Sequence, residues 1–137
     1  MSTSFFIGPI DPTSWYTEES SDQKPTSDLM IDPNLYRVEL MKRWPFADIG
    51  EGGEHYALFW KLDTEAGLGP EGGLQSDLQH VSFRYSDLTF VDFVLWHRRF
   101  VPSQYVLYLF NSSSAPRHLV LHSEVTVGDV ELYLSSS

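Results

Sequence analysis

DLTFVDFVLWHRRFVPSQYVLYLF, residues 87–110, sets one helix and one strand side by side, and its reading decides the fold class. The first half has the signals of a helix. Ser86 or Asp87 can cap the first amides, Asp92 lies early, Arg98 and Arg99 lie late, and Pro102 stops the helix. Leu88, Val91 and Leu95 share a face, yet Phe90, Phe93, Val94 and Trp96 carry apolar character round most of the circumference. That distribution predicts a helix buried at the centre of the domain. Its β-branched and aromatic residues leave a strand as the alternative. Tyr105 to Phe110 is almost wholly apolar, which predicts a central strand covered on both faces.

Working towards the C-terminus, Asn111-Ser112-Ser113-Ser114-Ala115-Pro116 predicts a turn and His118 to His122 another strand. Val125 to Leu134 predicts a short closing helix capped by Thr126. Working back, Leu78 to Tyr85 alternates and places Val81, Phe83 and Tyr85 on one face. Tyr56 to Leu62 is a further strand; if Tyr56, Leu58 and Trp60 point inward, Ala57 and Phe59 point the other way. Two glycine-rich stretches, 50–54 and 67–73, read as exposed loops. Tyr36, Val38 and Leu40 alternate with Arg37, Glu39 and Met41, which predicts a strand; a helix is the alternative, because Glu39 to Lys42 are good helix formers. The sum is an α+β domain: a mainly antiparallel sheet of about four or five strands, one central buried helix and a short C-terminal helix.

The 137 residues fit one domain, expected over 35–137. Residues 1–34 differ in composition. The segment 1–32 holds six acids and one lysine, half of the formal net charge of −10, and its polar stretch 17–28 predicts a mobile or loosely docked tail. Phe5, Phe6, Trp15 and Tyr16 are its apolar exceptions, suited to docking on the domain.

Composition excludes several classes of chemistry. The chain has no cysteine, so it has no disulfide, thiolate nucleophile or thiolate metal site. Together with the lack of a basic, apolar leader this leads us to expect a cytoplasmic protein. No apolar run approaches the roughly 20 residues that cross a bilayer. Nineteen acidic against nine basic residues argues against direct nucleic-acid binding and favours a basic partner.

No motif carries catalysis. Residues 67–73 lack the Lys-Ser/Thr of a phosphate loop, and Pro70 removes an amide such a loop would use. His118 and His122 lie on one strand face but about 13 Å apart, too far to share an ion, so no metal or cofactor is expected. Glu51, Glu54 and His55 cluster in a solvated loop, and no nucleophile elbow surrounds any serine of the 112–114 run.

The surplus of aromatic residues predicts an interaction surface: helices enough to cover both faces of the sheet are not in evidence. A protein partner or a second copy of the chain would cover the rest, so a homo-oligomer or hetero-complex is expected. The favoured function is an acidic protein-binding domain that occupies a basic target, as an inhibitor or immunity-type protein would. Its expected contacts are Glu51, Glu54, Phe59, Trp60, Glu71 and Asp77. One alternative is a small-molecule or anion site, or a minor enzyme, gripping its ligand with His97, Arg98 and Arg99. The other is a structural subunit of a permanent complex.

Overall fold

A computed structural model of the chain describes residues 4–12, 27–62, 71–84, 90–111 and 117–135. The elements are β1 (Ser4–Gly8), α1 (Pro33–Arg43), β2 (Asp48–Glu51), β3 (Tyr56–Lys61), β4 (Glu71–Gln75) and β5 (Val81–Arg84). After these come α2 (Phe90–Phe100), β6 (Leu107–Asn111), β7 (His118–Leu121) and α3 (Val127–Ser135). The strands form one antiparallel sheet in the order β2-β3-β4-β5-β1-β6-β7.

The α+β class and the antiparallel pairing agree with expectation; the count of elements does not. Among the described residues the sheet has seven strands rather than four or five, and three helices accompany it. A single central buried helix is not what forms either. α2 buries Phe90, Phe93, Val94, His97 and Arg98 but leaves Asp92 and Arg99 in water, so it is a helix covered on one side. Three strands escaped sequence reading for a shared reason. β2 and β4 contain glycine where alternation needs a side chain, and β1 lies in a segment whose average composition is polar.

The stretch 35–41 is helix, correcting the strand expected there. Asp32 caps it, its carboxylate accepting from the amides of Asn34 at 2.9 Å and Leu35 at 3.5 Å. Pro33 takes the first turn, and Lys42 and Arg43 take the last. Tyr36 and Leu40, four apart, point inward together; a seven-residue window with apolar 36, 38 and 40 fits both periods, and the cap decides. The short closing helix was legible, cap included. Thr126 Oγ1 accepts from the Asp129 amide at 3.2 Å, and Asp129 Oδ2 accepts from the Thr126 amide at 3.0 Å.

β1 is an interior strand of the sheet, between β5 and β6. Phe5 and Ile7 pair with Phe83 and Val81 of β5 on one side and with Asn111 and Leu109 of β6 on the other. Leu29 and Ile31 are also buried, and the Ile31 amide donates to Leu78 O at 2.8 Å. The polar stretch expected to be mobile, with Trp15 and Tyr16, lies outside the described residues from 13 to 26.

The strand residues Leu58, Trp60, Leu74, Val81, Phe83, Phe5, Ile7 and Leu109 face one side, where they form one core with the helices. Aromatic rings dominate that core. Phe93 of α2 stands 4.9 Å from Phe83, 5.7 Å from Trp60 and 6.2 Å from Trp44, centroid to centroid. Tyr36 of α1 packs on Trp60 at 5.5 Å and on Phe100 at 4.9 Å.

Two predictions follow from burial. Phe5→Ala should cost about 3–5 kcal/mol in a urea titration, the range for an aromatic removed from a core; a loss below about 0.5 kcal/mol would mean that β1 is only loosely attached. The second concerns His97, fully buried with its Nδ1 3.0 Å from Tyr36 Oη. Burial, aided by the neighbouring Arg98 charge, pushes its pKa down to about 3. The folded protein therefore binds this proton more weakly than the unfolded chain, whose histidine titrates near 6.5. His97 contributes its full stability above that pH and loses it as pH falls towards 3, at up to about 1.4 kcal/mol per unit. The double variant Tyr36→Phe/His97→Leu, which removes both buried polar groups, should show a shallower loss of stability over that range than the parent.

Candidate functional site

The sheet face opposite the helices is built by cross-strand register. Gly50 of β2, Phe59 of β3, Gly73 of β4, Ser82 of β5, Phe6 of β1, Phe110 of β6 and His118 of β7 follow one another as direct partners. Directly opposed residues project to the same side, so these seven form one row across the outer face.

Glycine lets the aromatic rings of this row lie flat. A Cβ on Gly50 would stand 2.5 Å from the Phe59 ring, and one on Gly73 would stand 2.6 Å from Tyr56 Cδ1. Both glycines, expected in loops, are thus strand residues over which an aromatic ring lies. Phe59 is 49% exposed.

Tyr56 shares this outer face. A register shift between Tyr56 and Leu58 inserts an extra residue, Ala57, and turns Tyr56 to the side opposite the one alternation gives it. Its hydroxyl lies 3.1 Å from Ser82 Oγ. The neighbouring row is charged: Asp48 pairs with Lys61, and Lys61 with Glu71. Glu71 lies 3.8 Å from Lys61 Nζ and 4.0 Å from Arg84. Two shallow hollows of about 320 and 290 Å³ flank Phe59, and Phe59, Glu71 and Gly72 line both.

Of the six residues expected to touch a partner, Phe59 and Glu71 meet on this face. Glu51, at the end of edge strand β2, is tied to Arg37 of α1 at 2.7 Å. Glu54 stands exposed in the β2–β3 turn, where Gly52 and Gly53 adopt positive φ angles of 91° and 124°. Trp60 points the other way, into the core, with its indole N–H buried. Asp77 serves its own turn, accepting from the Gln79 amide at 2.9 Å and the His80 amide at 3.1 Å and meeting His80 Nδ1 at 2.7 Å. Partial burial opposes its ionisation, yet these hydrogen bonds and the His80 charge outweigh burial and hold its carboxyl below the usual range.

His97, Arg98 and Arg99 do not converge. Arg99 is exposed, His97 is inside the aromatic core, and Arg98 is buried with its fork spent on backbone carbonyls. One guanidinium nitrogen donates to Tyr105 O at 2.7 Å and Leu121 O at 2.8 Å. The other donates to Val101 O at 3.1 Å and Pro102 O at 2.9 Å. Asp92, in the first turn of α2, pairs with Arg43 of α1 at 2.9 Å. No three His, Asp or Glu side chains among the described residues are placed to hold a metal ion, and no described helix is long and apolar enough to cross a membrane.

Comparison with family models, with curated proteins and with solved structures gave no match. Function therefore has to be read from the sheet face itself. Tyr56, Phe6 and Ser82 belong to that face and were not anticipated. The bulge hides Tyr56, and Phe6 gains its place only through long-range pairing of β1.

Arg98→Lys should lower stability by about 2–4 kcal/mol in chemical denaturation. A lysine ammonium cannot reach four carbonyls as a planar fork does. An unchanged midpoint would show that the four bonds carry no net stability.

Proposed function

We propose that this chain is a protein-binding domain that acts by occupying a basic partner through the sheet face bearing Phe59. The observation that carries this reading is the half-exposed Phe59 ring, laid over Gly50 and bordered by Glu71 and Asp48. A partner arginine can stack on Phe59 or Tyr56 while its guanidinium meets a carboxylate. Glu54 and Glu51 extend the acidic rim along the β2 edge, where they meet an approaching cation first. A formal charge of −10 adds long-range attraction, which speeds capture more than it tightens the complex. An inhibitor or immunity-type role is the concrete form of this activity: carboxylates would cover the surface with which a basic enzyme, such as a nuclease, holds its anionic substrate.

The test is affinity capture from native lysate at low and high salt, with wild type, Phe59→Ala and Glu54→Gln/Glu71→Gln as baits. Wild type should retain a protein rich in lysine and arginine at low salt and release it at roughly 0.5 M salt, where screening shrinks to a few ångströms. Phe59→Ala should lose that protein while keeping its melting temperature, since the ring is outside the core. Glu54→Gln/Glu71→Gln should slow association of the purified pair on the order of tenfold. Capture that ignores Phe59, or of proteins with no basic excess, would count against the proposal. A partner held equally at both salts would identify a permanent subunit instead.

A further inference from the structure

Two strands end the described sheet, and they are finished differently. α3 packs against β7, and the carbonyl of its last residue, Leu121, is taken by Arg98 at 2.8 Å. β2 forms the other edge, where it pairs with β3 alone among the described residues. A strand paired on one side turns every second N–H and C=O outward, and those groups are a template for a further strand. Gly50, within β2, is partly exposed, and because glycine has only main-chain atoms, the part that water reaches is backbone.

The chemistry of this edge selects what can pair with it. Sheet edges in natural proteins are commonly guarded by lysine, proline or a bulge, and β2, Asp48-Ile49-Gly50-Glu51, has none of these. It carries acids instead. The run 44–60 holds Asp48, Glu51 and Glu54 and no lysine or arginine. Glu51 is spent on Arg37 of α1, but Asp48 and Glu54 are exposed and form no ion pair among the described residues. A second copy of the chain is a poor match for this edge. Two β2 strands paired antiparallel about a two-fold axis would set Asp48 of each against Glu51 of the other, between chains of formal charge −10.

We propose that β2 is the edge to which a basic protein partner adds an extended strand, so that the sheet continues into the partner. This rests on the reading of the Phe59 face as a site for a basic protein, and it names the segment that the partner contributes. Alternation dictates the side chains of that segment. Opposite Asp48, on the outer side, stands a lysine or arginine. Opposite Gly50 an apolar side chain reaches the Phe59 ring, at the hollow of about 320 Å³ that Asp48, Gly50 and Phe59 help to line. Opposite Ile49, on the inner side, a second apolar residue extends the cross-strand packing. At the other end, Glu54 in the following turn is the free carboxylate that favours a second basic residue. The pattern basic-apolar-apolar-basic is the same in either direction, so it serves a parallel or an antiparallel strand.

In this arrangement main-chain hydrogen bonds supply affinity and the alternating side chains supply specificity. The partner needs no deep pocket on this chain, in keeping with the shallow hollows beside Phe59. It needs a segment free to become a strand, such as an exposed loop or terminus carrying arginine or lysine around β-branched residues.

The probe is the synthetic peptide acetyl-Thr-Arg-Val-Ile-Arg-Thr-amide, titrated to roughly 5 mM into the isotope-labelled full chain and followed by its amide resonances. Saturable shifts should centre on residues 48–51, with a dissociation constant on the order of 100 µM. Asp48→Asn/Glu54→Gln should weaken the peptide about tenfold and leave the melting temperature unchanged, because both side chains are exposed. In an added strand, alternate amides face the edge. One peptide is N-methylated at the first arginine and the isoleucine, another at the valine and the second arginine. One of the two should lose binding, and the other should keep it within about twofold. Both keep the same charge, so non-specific attraction to an acidic chain cannot separate them. Absence of saturable shifts in 48–51, or equal effects of the two methylations, would overturn strand addition. Shifts confined to the surroundings of Phe59 would overturn it too, while leaving the reading of that face standing. Strand addition by the peptide, combined with lysate capture that ignores Phe59, would count against the face alone.

Discussion

The pairing of Ser4–Gly8 on both of its edges holds the sheet together. Without β1, the meander β2–β5 and the hairpin β6–β7 share no strand. With it, Phe5 and Ile7 lie beneath α2 and join the two halves of the core, Phe5 packing edge-on against Phe90 at 4.9 Å. The register sets Phe5 opposite Asn111, so the last β6 pairing closes nearly the whole chain. Such long-range pairing is costly in loop entropy and slow to form, because local contacts cannot recover the cost beforehand.

Inside, α2 carries the two polar groups that organise its end of the core. Arg98 gathers carbonyls from the loop after α2, from Tyr105 ahead of β6 and from the end of β7, so one side chain fastens helix, loop and edge strand. One helical position earlier, His97 stays neutral within the aromatic cluster. The adjacent cation and the lack of water both disfavour a second charge there. Residues that look in sequence like a basic patch are therefore divided between architecture and surface by which side of the helix each occupies.

The described helices share one core with the inward strand residues, and the opposite sheet face carries the row through Phe59, Phe6 and Phe110. Around Phe59 that face consists of rings lying over glycines, with ions alternating along the next row.

Local physics was legible wherever the deciding signals were local. The stop after α2, the capping box at Thr126 and the apolar run into β6 each depend on residues within a few positions, while the cap expected at Ser86 or Asp87 lies outside the described residues. Sequence therefore determined the α+β class, six of the ten described elements and the outward aim of Phe59. What it missed depended on distant partners. Gly50 and Gly73 look like loop residues until the rings of Phe59 and Tyr56 are placed over them, and a one-residue bulge reverses the face on which Tyr56 stands. Asp77 and Arg98 look available until the groups that consume their hydrogen bonds arrive from the turn and from β7. Composition cannot reveal β1, because a five-residue strand inside a polar segment is stabilised only by the neighbours on its two edges. Tertiary structure alone decided the strand order, which side chains share a face and which charges remain free, because each depends on residues far apart in the chain.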